Sequence, residues 1–263
     1  MRISRVNAGL IMIGVLILFA SLTLAFIYSQ IAHRGYYAEF REALRQRQHL
    51  YHWIKDPGVI RAYMNAHPVR KLQLGAGGND PGDWLNTDIE PNRNEVYLDA
   101  TGRYPFPDGS FQYILSEHVI EHVPWEEGLA MLKECHRVLA SGGQIRIVTP
   151  NLMKLFQLLT GPIDEAQRGY IVAKLRLHPW PVTPVTGAYI FNHEVRDWGH
   201  RFLYDSATLR KTFELAGFNR VTEYPVEEKT DSVFKNAELR TRNPGSDLFL
   251  ENSWEAMAFE AVR

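Results

Sequence analysis

Between Val6 and Ala32 the chain carries no Asp, Glu, Lys, Arg or His, and no other feature limits its folding options as sharply. The apolar core of this stretch, Ala8–Tyr28, is 21 residues long. At a rise of about 1.5 Å per residue it reaches roughly 30 Å, the thickness of a bilayer's hydrocarbon layer. Asn7, Ser21 and Thr23 are the strongly polar side chains near or inside it, and Ser and Thr can bond back to their own helix. A secretory signal peptide has a shorter apolar region and a small-residue cleavage site. Tyr28-Ser29-Gln30-Ile31 is a poor cleavage context. Length therefore favours an uncleaved single-pass anchor over residues 1–33, held in the membrane through 8–28. Arg2 and Arg5 precede it, and Arg34, Arg41, Arg45 and Arg47 follow. By the positive-inside rule this modest bias points the C-terminal bulk into the cytoplasm.

The chain as a whole, 263 residues, has ordinary globular usage, 45% hydrophobic and 22% charged, which excludes a disordered, collagen-like or coiled-coil chain. Lys plus Arg number 29 against 30 for Asp plus Glu. A chain living on nucleic-acid phosphates would be basic, so no nucleic-acid partner is expected. Cys135 is the single cysteine, which excludes a disulfide-stapled secreted domain and favours a reducing compartment.

Residues 34–67 read as a juxtamembrane helical linker. Tyr37, Phe40, Leu44, Tyr51 and Ile54 share one helical face, with Arg41, Arg45 and Arg47 largely off it. Such a helix either packs on the following domain or lies on anionic headgroups. Asp56-Pro57-Gly58 is expected to end it.

From residue 68 to 263 strands and helices alternate. Lys71–Leu74, Leu85–Ile89, Glu95–Asp99, Phe111–Ser116, Gln144–Val148, Asn219–Tyr224 and Glu255–Val262 read as strands. Trp125–Ala140 and Ser206–Ala216 read as helices, the second capped by Asp205 or Ser206 and closed by Gly217. This order predicts an α/β domain with a parallel sheet covered on both faces. The first strand runs into Gly75-Ala76-Gly77-Gly78. Glycines let a backbone approach a ligand, and a helix start would add free N–H groups. A dinucleotide site wants a third glycine where Asp80 stands, and a carboxylate there would repel a pyrophosphate.

The run KLQLGAGGNDPGDWLNTDIEP, then YLDATGRYPFPDGSFQYILSEHVIEHV, then LKECHRVLASGGQIRIVTPN resembles the class I S-adenosylmethionine-dependent methyltransferases, most of all their type 11-like bacterial group. The likeness covers about residues 68–150 and extends more loosely through YDSATLRKTFELAGFNRV and AMAFEAV. It implies a Rossmann-like sheet, mostly parallel with an antiparallel last strand. It implies that Gly75, Ala76 and Gly77 turn under the methionine part of the cofactor. Asp88, beside Ile89, would hold the ribose hydroxyls, and Asp99, beside Ala100, the adenine amino group. Ser116, Glu117 and His118 would face the sulfonium at the mouth of the fourth strand. Asn79 stands where the family has a third glycine. Asp88 follows Gly75 by only 13 residues, so the first helix of the family must be very short here.

His118-Val119-Ile120-Glu121-His122 also fits H-x-x-E-H, a zinc-peptidase pattern that needs a helix. A subset of RNA and quinone O-methyltransferases uses a similarly placed Glu-His pair for a divalent ion. A structural role for Glu121 and His122, bonding backbone and anchoring the turn, ranks first. A divalent metal is second and not favoured, and a metal-dependent hydrolase is a distant third. Residues 161–205 break the alternation and read as an acceptor-side lid, rich in Pro, Trp, His and Tyr. Such a wall suits a polyhydroxylated or polar acceptor. Methyl transfer from a sulfonium is mostly positioning, and an oxygen acceptor also needs a proton taken from it. His118, His193 and His200 are the candidates for that. The expectation is a membrane-anchored methyltransferase acting on a small-molecule or lipid- or glycan-linked acceptor, through an oxygen. The alternative is a non-catalytic scaffold with the same fold.

Overall fold

In the computed structural model of the chain, residues 36–178, 186–229, 231–235, 237–241 and 243–263 are described, 36–50 by their backbone alone. The charge-free stretch and its expected anchor lie outside them. Among the described residues no helix is long and apolar enough to cross a membrane. The chain divides into two compact units between Lys55 and Asp56. Of the first, the described part is helical, residues 36–55 of helix α1 (Tyr36–Ala66).

Four short apolar strands seed the second unit. β1 (Lys71–Leu74), β2 (Leu85–Asp88), β4 (Phe111–Glu117) and β5 (Leu139–Pro150) put Leu72, Leu74, Ile114, Ile145 and Ile147 entirely out of solvent. Each such burial contributes about 1.5–3 kcal/mol. With β3 (Val96–Tyr97), β6 (Arg220–Tyr224) and β7 (Ala256–Val262) they make one sheet in the order β3-β2-β1-β4-β5-β7-β6. Strands β1 to β5 pair in parallel, and β7 runs antiparallel between β5 and β6. The strand order reverses between β1 and β4, where open α/β sheets bind their ligands. Leu74 is in register with Thr87 on one side and Ser116 on the other. Gly75, Asp88 and Glu117 therefore leave the sheet at a common edge.

Helix α2 (Trp125–Val138) packs Met131, Leu132, Cys135 and Val138 on the sheet. Helix α6 (Ser206–Leu215) adds Leu209 and Phe213, and Asp205 caps it by accepting from Thr208 N. A separate helical layer lies beyond β5: α3 (Leu152–Gln157), α4 (Glu165–Leu177), α5 (Gly187–Arg196) and α7 (Asp247–Glu255). Leu155, Leu158, Tyr170 and Ile190 form its own small core, with Trp254 against it. The expected lid is thus two helices, with 179–185 outside the described residues, and α7 joins them from the far end of the chain.

Three expectations are corrected. Helix α1 does not stop at Asp56-Pro57-Gly58 but runs through Pro57 to Ala66. Its last turns are tied down: Asp56 Oδ2 accepts from Tyr97 N at 2.7 Å, and Tyr63 Oη accepts from Lys71 N at 2.8 Å. Those ties offset the one hydrogen bond that Pro57 removes. Second, no helix follows β1; residues 75–84 are turns and bends. Gly75, Gly77, Gly78 and Gly82 all have positive φ, and Pro81 interrupts the segment, so no helical turn can start. The cleft therefore has exposed turn backbone but no helix dipole. Third, residues 120–122 form one 3-10 turn of three residues, not a helix. His118 and His122 cannot share a helical face, which removes the peptidase geometry.

Candidate functional site

Two cavities lie along the carboxyl edge of the sheet, and both have His118 and His122 in their walls. The first has a volume of about 480 Å³, within the ~300–1,000 Å³ usual for a small-molecule site. Gly75, Gly77, Asp88, Asp99, Ala100 and Val119 line it, with Ile89 and Thr101 at its side. Gly75 has φ +62°, and a Cβ there would run into Val119. The turn can approach the opposite wall only as glycine.

The two aspartates are held but not used up. Asp88 Oδ2 accepts from Gly77 N at 2.9 Å and Oδ1 from Glu90 N at 2.8 Å. Each oxygen keeps a lone pair for a diol. Asp99 Oδ1 accepts from Thr101 N at 2.9 Å and from Thr101 Oγ1 at 2.7 Å. Among the described residues no such bond occupies Oδ2. Glycine backbone, one carboxylate at the end of β2 and one just past β3 fit the methionine, ribose and adenine parts of S-adenosylmethionine in that order.

Other predicted residues stand elsewhere. Ala76 is buried behind the turn, and Ser116 is fully buried with no hydrogen-bond partner for Oγ. Glu117 points its carboxylate away from the cleft, accepting from Leu239 N and Arg240 N at 2.9 and 3.0 Å. Burial pushes it above the usual carboxylate range. Neither Ser116 nor Glu117 is in the cleft wall. Asn79, in the missing glycine's place, is buried and donates to Ala237 O at 2.7 Å.

His118 is the one non-glycine residue with positive φ among the described residues, at +55°. That backbone costs about 1–3 kcal/mol and persists only where its surroundings hold it. Its Nε2 lies 2.8 Å from Asn252 Oδ1 and its Nδ1 3.2 Å from Glu121 Oε1. Asn252 Oδ1 accepts from Nε2, and the Glu121 carboxylate stands at ion-pair distance from Nδ1. Burial and Arg240 push its pKa down, but Glu121 and Glu255 outweigh them and it lies above the usual value. Burial alone would raise Glu121; the histidines beside it bring it down to about 2. Glu121 also accepts from Thr149 Oγ1, and its backbone oxygen takes Arg201 N and Phe202 N. The H-x-x-E-H run thus anchors the loop that carries His200. Ligand atoms of Glu121, His122 and His200 all lie within 4.8 Å of one another, and among the described residues these three are the group that could hold a metal.

The second cavity is smaller, about 180 Å³, and strongly polar. Lys174, Glu194, Trp198, His200, Glu251 and Glu255 wall it, with His178 and Arg240 at its rim. His200 Nδ1 donates to Glu194 O at 2.5 Å. Its Nε2 is then the ring's acceptor, and burial lowers its pKa, keeping the ring neutral near pH 7. His193 lies in neither wall; its Nδ1 is 3.3 Å from Asp197 Oδ2 and its ring rests on Trp198. Sequence reasoning reached His200 and the neighbourhood of Trp198. It missed Lys174, Glu194, Glu251 and Glu255. Glu251 and Glu255, spaced i, i+4, were the one available signal, but such pairs ordinarily face solvent.

Residues 85–147 match the family model described as a methyltransferase domain. No curated protein matches the chain. Among solved structures, the chain is similar to an S-adenosylmethionine-dependent methyltransferase of Archaeoglobus fulgidus at 19% identity, covering 85% of this chain and 94% of that one, with a TM-score of 0.44. An S-adenosylmethionine-dependent methyltransferase of Mesorhizobium loti is similar at 18% identity, covering 77% and 96%, also with a TM-score of 0.44. The assignment rests on the matched segment, which runs from β2 into β5 and contains Asp88, Asp99 and His118.

Proposed function

We propose that the chain, whose residues 85–147 match a methyltransferase-domain family model, moves a methyl group from S-adenosylmethionine to a polar acceptor seated in the second cavity. The observation that carries this reading is the junction of the two cavities at His118 and His122. When bound, S-adenosylmethionine supplies an electrophilic methyl on a good leaving group. The chain's residues then have to position and to move one proton. Gly75, Asp88 and Asp99 orient the donor. His118, fixed by Asn252 and Glu121, holds the passage between the cavities. His200 Nε2 takes the acceptor's proton, being neutral and in the acceptor wall. His118 has both nitrogens engaged and His193 is in neither wall, so His200 is the strongest of the three candidate bases.

The charge-free stretch Val6–Ala32 supports a single membrane anchor, with the catalytic unit on the cytoplasmic side and a small or lipid- or glycan-linked acceptor. The test is calorimetric titration of the full chain, in detergent micelles, with S-adenosylmethionine and with S-adenosylhomocysteine. Binding of both, weakened about tenfold in Asp99→Ala, is expected. A folded sample that binds neither overturns the methyl-transfer reading and leaves the scaffold.

A further inference from the structure

The acceptor cavity holds more carboxylate than cation. Glu194, Glu251 and Glu255 are 1%, 2% and 2% exposed. They converge from α5 and α7 on one buried ammonium, Lys174 of α4. Lys174 Nζ lies 3.0 Å from Glu194 Oε1 and 3.2 Å from Glu255 Oε2, and it donates to Glu251 Oε1. An ammonium has three protons, and these contacts use them all. Glu255 also accepts from Tyr170 Oη at 2.9 Å, and Glu194 from Trp198 Nε1 at 3.1 Å. Glu251 Oε2 is buried with no hydrogen-bond partner. Its nearest guanidinium nitrogen, Arg240 Nη1, is 3.9 Å away on a partly exposed side chain.

The histidines do not make up the difference. Burial lowers His178, and the His118 ring is paired with the Glu121 carboxylate at 3.2 Å. Burial first and Glu255 second push Glu194 up to about 7. A buried carboxylate oxygen without a donor is costly, and a bound cation relieves it.

We infer that the methyl acceptor is an amine that enters as its ammonium, with Glu251 and Glu194 accepting its protons in hydrogen bonds. This rests on the methyl-transfer reading and replaces the oxygen acceptor expected from sequence. A hydroxyl brings one proton and no charge, so it would leave the surplus in place. A phosphate or carboxylate would be repelled by Glu251 and Glu255. Trp198 adds an aromatic wall that already has Lys174 Nζ at 5.7 Å over its ring, a surface that favours cations.

The step balances. The ammonium gives one proton to His200 Nε2. The freed nitrogen lone pair forms the N–C bond as the C–S bond of the sulfonium breaks, and that electron pair stays on sulfur as a thioether. The product is a methylated ammonium, and the imidazolium returns its proton to solvent.

The test uses the full chain in micelles, saturated with S-adenosylhomocysteine, and calorimetry with two skeletons, phenylethyl and butyl, each ending in an amine, an alcohol or a carboxylate. At least one amine is expected to bind ten times or more tighter than its alcohol, with no binding by the carboxylates. Glu251→Gln should cost that amine about tenfold and leave S-adenosylhomocysteine affinity unchanged. Wild-type selectivity stands as a readout even if the variant fails to fold. Alcohols binding as well as amines, no amine binding, or an amine affinity unmoved in folded Glu251→Gln overturns the inference. Failure to bind S-adenosylhomocysteine at all is a different result and strikes the methyl-transfer reading instead.

Discussion

The glycine-turn cleft and the polar cavity share His118 and His122 but are made of different material. The cleft is backbone and short turns at the ends of neighbouring strands, with two aspartates whose partners lie within eleven residues or two. The cavity is side chains from three helices, Lys174 meeting Glu251 and Glu255 across 77 and 81 residues. Close, local geometry tolerates a lost contact as lost affinity. A buried, long-range charge cluster answers a lost partner as lost stability.

Removing the centre of that cluster should have the largest effect. Lys174→Met leaves three buried carboxylates facing one another, and about 3–5 kcal/mol of stability should go. Chemical denaturation of the full chain measures this, and a loss under 1 kcal/mol would show the carboxylates to be wet and the cavity open. Next comes pH. The folded-state value of Glu194, about 7, lies above its ordinary 4.5. Folding therefore favours its protonated form, and this contribution is whole below about 4.5 and lost as pH rises through 7. Stability should fall by on the order of 2–3 kcal/mol over that window. Glu194→Gln should flatten the fall. Glu121 has the opposite sign: at about 2 it stabilises above 4.5 and loses that only as pH drops toward 2.

Changes in the cleft should be smaller and should read out in binding. Gly75→Ala meets both a positive φ, worth about 1–2 kcal/mol, and Val119. It should weaken S-adenosylhomocysteine by more than tenfold and lower stability by about 1–2 kcal/mol, less than Lys174→Met does. Asp99→Ala removes one charged acceptor and should cost about tenfold, roughly 1.4 kcal/mol. Equal losses of stability and affinity in both would erase the distinction between the two regions. His193→Ala should do least, under about 1 kcal/mol and under twofold in affinity. A tenfold effect would return His193 to the reacting centre.

What was readable in advance follows the same division. The alternation of strands and helices, the glycine turn and the strand-end aspartates were legible because each is written in a few consecutive residues, whereas the antiparallel last strand followed only from the family resemblance. Strand limits shifted by a residue or two at β2, β4 and β7. β3 shrank to Val96–Tyr97, and β5 reached Pro150. The continuation of α1 past Pro57 was hidden, because Tyr63 and Asp56 hold it from strands elsewhere in the chain. Buried Arg146 was hidden too: its guanidinium is met by Glu238 and Glu260, and register alone brings Glu260 opposite it.

By itself, then, the order of residues determined an α/β sheet with a glycine turn and two carboxylates at its edge, since strand period and turn chemistry act over neighbours. Only the tertiary structure decided which charges share a cavity. Lys174, Glu194 and Glu251 belong to three helices whose sequence separation carries no record of contact. It also decided which histidine keeps a free nitrogen, because that depends on the carbonyl of Glu194 and the amide of Asn252 standing where folding puts them.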